Sequence, residues 1–154
     1  MQNYKQLIMI NLNPAKVDLL QSIVSLIDGT RQRVAQTVNS ELTLLYWNIG
    51  KQINDDILKN GRADYGKTII PVLSNQLSIL YEAGFNKRNL QSFIKFNSVY
   101  QDVEILHSLR AKLTWTHIRE IIYINDDIKR EFYTQMCIHE RWSVLTLAEN
   151  SLRK

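Results

Sequence analysis

Five side chains in one short stretch have types and spacing suited to reading nucleic acid. Lys87, Arg88, Gln91, Ser92 and Lys95 recur at one-, three- and four-residue steps within Gly84-Phe85-Asn86-Lys87-Arg88-Asn89-Leu90-Gln91-Ser92-Phe93-Ile94-Lys95-Phe96. On a helix they share one face, while Leu90 and Phe93 take the other. Lysine and arginine reach phosphates or guanine edges, and glutamine pairs bidentately with adenine. From Ala83 to Gln101 no acidic residue interrupts the run. A solvated lysine-rich face is the plain alternative, but an acid-free stretch of this length favours a polyanion.

The elements that must position this face follow from the apolar pattern. Leu73, Leu77 and Leu80 give an amphipathic helix from about residue 66 to 81, which Asp64 can cap and in which Pro71 is tolerated near the first turn. Gly84 then suits a left-handed helix end, and Asn86 can cap a second helix running to about Tyr100. Helix, glycine-containing turn and basic second helix together read as a helix-turn-helix at 66–100, with Ile79, Ala83, Phe85, Leu90 and Phe93 expected to interlock the pair. Arg62 and Lys67, at the start of the first helix, are expected to touch phosphates.

Upstream, Asn13-Pro14 marks a helix start. Val17, Leu20, Val24, Ile27, Val34, Val38, Leu42, Leu45, Ile49 and Ile53 then recur at helical spacing, with Asp28-Gly29 a possible break. The stripe is read as core, and so long a helix usually packs on a partner helix or a second subunit. Downstream helices are expected at 102–109, 115–124, 127–139 and 144–153, capped in turn by Thr114, Asp126 and Ser143 within that series. No segment alternates with period two. The expectation is an all-α fold: a flexible N-terminus over 1–13, then a single helical domain over 14–154 with the helix-turn-helix-like unit and C-terminal helices over 102–153.

The chain has 154 residues, 45% of them hydrophobic and 22% charged, which suits an ordered helical globule. Its net charge of +4 is unevenly spread: +3 of it falls in residues 61–101, around the basic helix. A single cysteine, Cys137, gives no internal disulfide, and neither a leader pattern nor a membrane-spanning apolar run is seen, so a cytoplasmic protein is expected.

Other motifs carry less. Gly61-Arg62-Ala63-Asp64-Tyr65-Gly66-Lys67-Thr68 fits the Walker A pattern, but Ile49, Ile53 and Ile57 before it have helical rather than strand spacing, and no strand ending in aspartate follows. It is read as a helix-to-helix connection. Cys137 and His139 sit two apart on a helix and face different ways, and no zinc-like ligand set or hydrolase triad emerges. No metal or cofactor is expected. His117 is read as a satisfied structural histidine, and Trp47, Trp115 and Trp142 as core anchors.

Several phrases run in an order similar to the N-terminal domain of the YhcG family of PD-(D/E)xK nucleases. They are Leu45-Tyr46-Trp47-Asn48-Ile49-Gly50, Tyr65-Gly66-Lys67, Leu73-Ser74, Gly84-Phe85-Asn86-Lys87-Arg88-Asn89-Leu90, Leu113-Thr114-Trp115-Thr116-His117, Arg130-Glu131-Phe132-Tyr133 and Trp142-Ser143-Val144. The chain departs from the pattern at Asn86 and Thr114, where relatives usually have serine, and at Leu145-Thr146, where a basic-acidic pair is expected. The resemblance implies a helical DNA-binding or targeting module that, in longer relatives, precedes a nuclease domain in the same chain or acts with one in trans. This chain lacks the strands and the Glu-x-Lys signature of that nuclease half, so it is expected not to be an enzyme. The alternative is an oligomerisation or partner-docking module, a homo-oligomer built on the long helix; DNA remains the favoured partner.

Overall fold

The computed structural model describes residues 14–61 and 63–152. All regular structure among them is helical, in seven helices: α1 (Pro14–Lys59), α2 (Ala63–Tyr81), α3 (Lys87–Val99), α4 (Val103–Lys112), α5 (Trp115–Ile121), α6 (Asp127–His139) and α7 (Val144–Leu152). The all-α expectation holds. The Asn13 cap and the 1–13 segment lie outside the described residues.

Helix starts are fixed by the side chains that the sequence offers. A helix leaves its first four N–H groups without intrahelical partners, and a capping oxygen relieves one or two of them. Asn86, Asp102, Thr114 and Asp126 cap α3, α4, α5 and α6, each accepting from a backbone N–H two or three residues on. The Ser143 hydroxyl accepts from the Thr146 N–H at 3.1 Å and so caps α7. Three boundaries differ from expectation. α2 begins at Ala63, which puts Asp64 inside its first turn. α4 extends to Lys112 before Leu113 leaves the helix. α5 ends at Ile121, because Tyr123 and Ile124 bond back only three residues, a tightening that terminates the helix.

The helix over Pro14–Lys59 is 46 residues long and passes through Asp28-Gly29 without interruption. The chain divides into two compact units at Val38/Asn39. In the first unit the α1 stripe is not core: Ile27, Val34 and Val38 are all exposed, as are Leu19, Ile23 and Leu26. This corrects the reading of the whole stripe as buried. Only in the second unit does it enter a core, through Ile49 and Ile53, and even there Leu42 and Leu45 stay exposed.

The second unit, from Asn39 onward, holds two apolar clusters. One gathers Trp47, Phe96, Leu106, Ile118, Ile122, Tyr133 and Leu147, from α1 and α3 to α7. The other packs Ile53, Leu90 and Phe93 with Ile70, Leu73 and Leu77 of α2. Burying a Leu, Ile or Phe side chain contributes about 1.5–3 kcal/mol, so these two clusters dominate the unit's stability. Trp115 joins them, its ring 5.0–5.6 Å from those of Tyr46, Phe93 and Phe96. Polar pins hold the seams. The Trp47 indole donates to the Tyr100 carbonyl at 2.7 Å. Asn39 donates to the Leu113 carbonyl and accepts from the Trp115 N–H, fixing the α4–α5 corner.

His117 and Trp142 meet the structural roles expected of them. The His117 ring touches the Thr114 hydroxyl with Nδ1 at 2.7 Å and the Trp142 carbonyl with Nε2 at 2.8 Å. A carbonyl can only accept, so Nε2 carries a proton and donates to Trp142.

Candidate nucleic-acid interface

The basic face stands on a short connection between two packed helices. α2 closes at Tyr81, residues 82–86 cross over, and α3 opens at Lys87. Two left-handed residues make the turn: Glu82 at φ 65° and Gly84 at φ 97°. Glycine takes this region without steric cost, whereas Glu82 occupies it at some strain. The Asn86 side chain accepts from the Asn89 N–H at 2.8 Å, and the Asn89 amide donates to the Gly84 carbonyl at 3.2 Å. These two bonds fix where α3 begins.

The two helices interlock differently from expectation. Leu90, Phe93 and Phe85 pack as foreseen, against Ile70, Leu73 and Leu77. Ile79 and Leu80, however, are each 69% exposed, and Ala83 is exposed as well. For Ile79 the reason is phase. The buried face of α2 runs at three- and four-residue steps through 70, 73 and 77, and Ile79 lies about 200° around the helix from Leu77. Tyr81 continues the contact instead, its ring 5.6 Å from that of Phe85.

On the outer side of α3, Lys87, Arg88 and Gln91 are exposed and Lys95 is half-buried. Ser92 is not on this face: it is 2% exposed, and its hydroxyl lies 2.9 Å from that of Tyr123, beyond the end of α5. The expectation that it points outward is corrected. Nothing in the sequence linked the two residues, which are separated by 31 positions.

Lys67 is exposed on α2, and Arg62 lies outside the described residues. Ion pairs are few among the described residues. Lys51, Arg110 and Arg130 each have a carboxylate partner, whereas Lys67, Lys87, Arg88 and Lys95 have none among the described residues. Lys59, Lys112 and Arg141 elsewhere also have no carboxylate partner there. What distinguishes α3 is that it carries no acidic residue, so its basic side chains meet no carboxylate on their own helix, a condition that favours a polyanion.

The Walker-like segment has a structural explanation. Gly61 sits in the α1–α2 turn at φ 66°, but Gly66, Lys67 and Thr68 lie within α2, where backbone N–H groups are committed to the helix. The Thr68 hydroxyl donates to the Asp64 carbonyl at 3.1 Å. A β-carbon on Gly66 would come within 3.1 Å of Ile57, so this glycine lets α2 approach α1 closely. Among the described residues no group of three or more His, Cys, Asp and Glu could hold a metal, and no helix is long and apolar enough to cross a membrane.

Comparison with known proteins adds a relation to this geometry. No solved structure matches the chain. The Escherichia coli (strain K12) protein described as "Putative nuclease YhcG" is 33% identical over 93 residues, which cover 60% of this chain and 25% of that protein. The matched region thus spans a quarter of the relative's length. The DUF1016 N-terminal domain model matches residues 22–153. That match takes in α2, the turn, α3 and every helix after them, and agrees with the resemblance carried by the phrases from Leu45 to Val144: the chain belongs to the DUF1016 N-terminal domain family.

Proposed function

We propose that this chain is a DNA-binding or targeting module of a YhcG-like nuclease system, non-catalytic by itself, with the outer side of α3 as its reading surface. The observation that carries the reading is the outer side of α3, where Lys87, Arg88 and Gln91 stand exposed on a helix with no acidic residue. Lys87, Arg88 and Lys95 neutralise phosphates, Gln91 meets base edges, and Lys67 and Arg62 extend the contact. The helix-turn-helix assignment rests on the packed α2–α3 pair and its short turn. The relation to a protein named as a nuclease supports a nuclease domain as partner, in cis or in trans.

The test is fluorescence anisotropy of labelled duplex and branched DNA at two salt concentrations. The three α3 contacts alone contribute about −2.7 to the log–log salt slope, so affinity should fall at least about 40-fold between 50 and 200 mM salt. Replacing Lys87, Arg88 and Lys95 together by glutamate should abolish binding. Undiminished binding by a folded triple variant would remove α3 from the interface.

A second reading, assembly, is favoured by a separate observation. In the first unit Val34 and Val38 are 57% and 52% exposed on a regular helix, with Ile27 and Ile23 beyond them at helical spacing. A second copy of the chain is the occupant we assign, because the stripe is self-complementary: an antiparallel copy sets Val34 of one chain against Val38 of the other. Paired helix-turn-helix units commonly read paired half-sites, so the two readings are compatible.

A further inference from the structure

Beside α3 lies a cavity of about 160 Å³ lined by Arg88, Asn89 and Ser92 of α3, Arg119 and Glu120 of α5, and Tyr123 just beyond α5. At about 30 Å³ per water it has room for roughly five water molecules, enough for a phosphate group. Neither arginine has a carboxylate partner among the described residues, although Glu120 shares the wall. The Ser92 and Tyr123 hydroxyls are hydrogen-bonded at 2.9 Å. Two hydroxyls carry two hydrogens and this bond uses one, so the other is left for an acceptor in the cavity. The Asn89 amide donates one hydrogen to the Gly84 carbonyl and keeps its second.

We propose that this cavity is a phosphate pocket, in which Arg88 and Arg119 flank the anion and the Ser92–Tyr123 pair donates the remaining hydroxyl hydrogen. Guanidinium is the side chain best matched to phosphate oxygens, and two from different helices fix the group between α3 and α5. The pocket rests on the DNA reading of α3 and deepens it: the strand passes from the outer face of α3 onto α5. It gives Ser92 a role other than base reading, and brings in Arg119 and Tyr123. The phosphate comes either from within a strand or from its 5′ end, and the chemistry of recognition is shared.

Three variants and one small probe decide it. Arg119→Gln should lower the magnitude of the DNA salt slope by about 0.9, the contribution of one phosphate, while Arg119→Lys keeps most of the slope. Glu120→Gln, which removes a like charge from the wall, should tighten binding. Equal losses with Arg119→Gln on duplexes with and without a 5′ phosphate identify an internal phosphodiester. A loss confined to the 5′-phosphorylated duplex identifies the strand end.

Independently of DNA, titration with inorganic phosphate should shift the side-chain Nε NMR signals of Arg88 and Arg119 saturably, and Arg119→Gln should abolish the Arg88 shift. If Arg119→Gln binds DNA with the parent slope while the Lys87/Arg88/Lys95 glutamate variant does not bind, the pocket is wrong and the α3 reading stands. If phosphate shifts both arginines but no DNA binds, the anion site stands and the DNA reading falls. No shift and no DNA binding overturns both.

Discussion

Gly50 of α1 lies directly against the backbone of Phe93 in α3: a β-carbon built on the glycine would stand 1.9 Å from the Phe93 carbonyl oxygen and 2.4 Å from its carbonyl carbon. The two helices touch backbone to backbone at the point where α3 turns its basic side outward. Gly50→Ala adds a methyl group where no flexible side chain can yield. Alanine's intrinsic helical advantage, about 1 kcal/mol, is outweighed by the forced separation of α1 and α3. Urea unfolding should show a net loss of about 2 kcal/mol, and parent-like stability would refute the close approach.

Gln91 and Ser92 are neighbours in sequence but should respond oppositely. Gln91→Ala should leave stability within about 0.5 kcal/mol, because the side chain is exposed, and alter DNA preference. Ser92→Ala removes the bond to Tyr123 and should cost about 1 kcal/mol. Thermal melts and binding curves of both variants check the contrast.

Asn39 holds two backbone groups at the α4–α5 corner, the Leu113 carbonyl and the Trp115 N–H. Asn39→Ala leaves both without their partner at a partly buried site and should cost about 2 kcal/mol. For a chain of this size the melting temperature should drop by roughly 4–8 °C, readable by circular dichroism.

Burial pushes the Cys137 thiol above its ordinary value, and burial is also the main cause of the raised Tyr100 phenol. Both groups are neutral when protonated, so the native state retains protons that the unfolded chain releases. Their contribution to stability is complete below the ordinary thiol range of about 8.5 and is lost as pH rises through the folded values. Urea midpoints should therefore fall from about pH 8.5 upward. Cys137→Ala should flatten the first part of that fall, and an unchanged slope would exclude the thiol as its source.

The exposed stripe of the first unit predicts a concentration-dependent dimer. Val34→Asp with Val38→Asp should shift sedimentation to the monomer while leaving the helical signal of the second unit in place. A parent chain that is monomeric at high micromolar concentration would remove the second-copy assignment.

Local rules made much of the fold legible in the sequence. Caps act on N–H groups two or three residues away, so Asn86, Thr114, Asp126 and Ser143 could be assigned without tertiary knowledge, and α6 matched at both ends. Periodicity likewise identified the apolar side of α3 and the buried Leu90 and Phe93. The exposure of Lys87, Arg88 and Gln91 follows from the same phase argument.

Only the tertiary structure decided which of several apolar positions meet a partner and which polar ones are covered. Helical spacing marks a stripe but not its occupant, so Val34 and Val38 stay exposed while Ile53, on the same helix, is core. Ile79 is apolar yet turned away from α3, because Leu73 and Leu77 set the phase of that contact. Ser92 lies on the polar side of α3 by spacing and is buried by Tyr123, from 31 residues away. The sequence by itself determined the all-helical character, the helix starts and the basic face, because those depend on neighbours within a turn or two. The covered serine, the Arg88–Arg119 cavity and the Gly50–Phe93 contact depend on chain segments distant in sequence, and only packing brings those together.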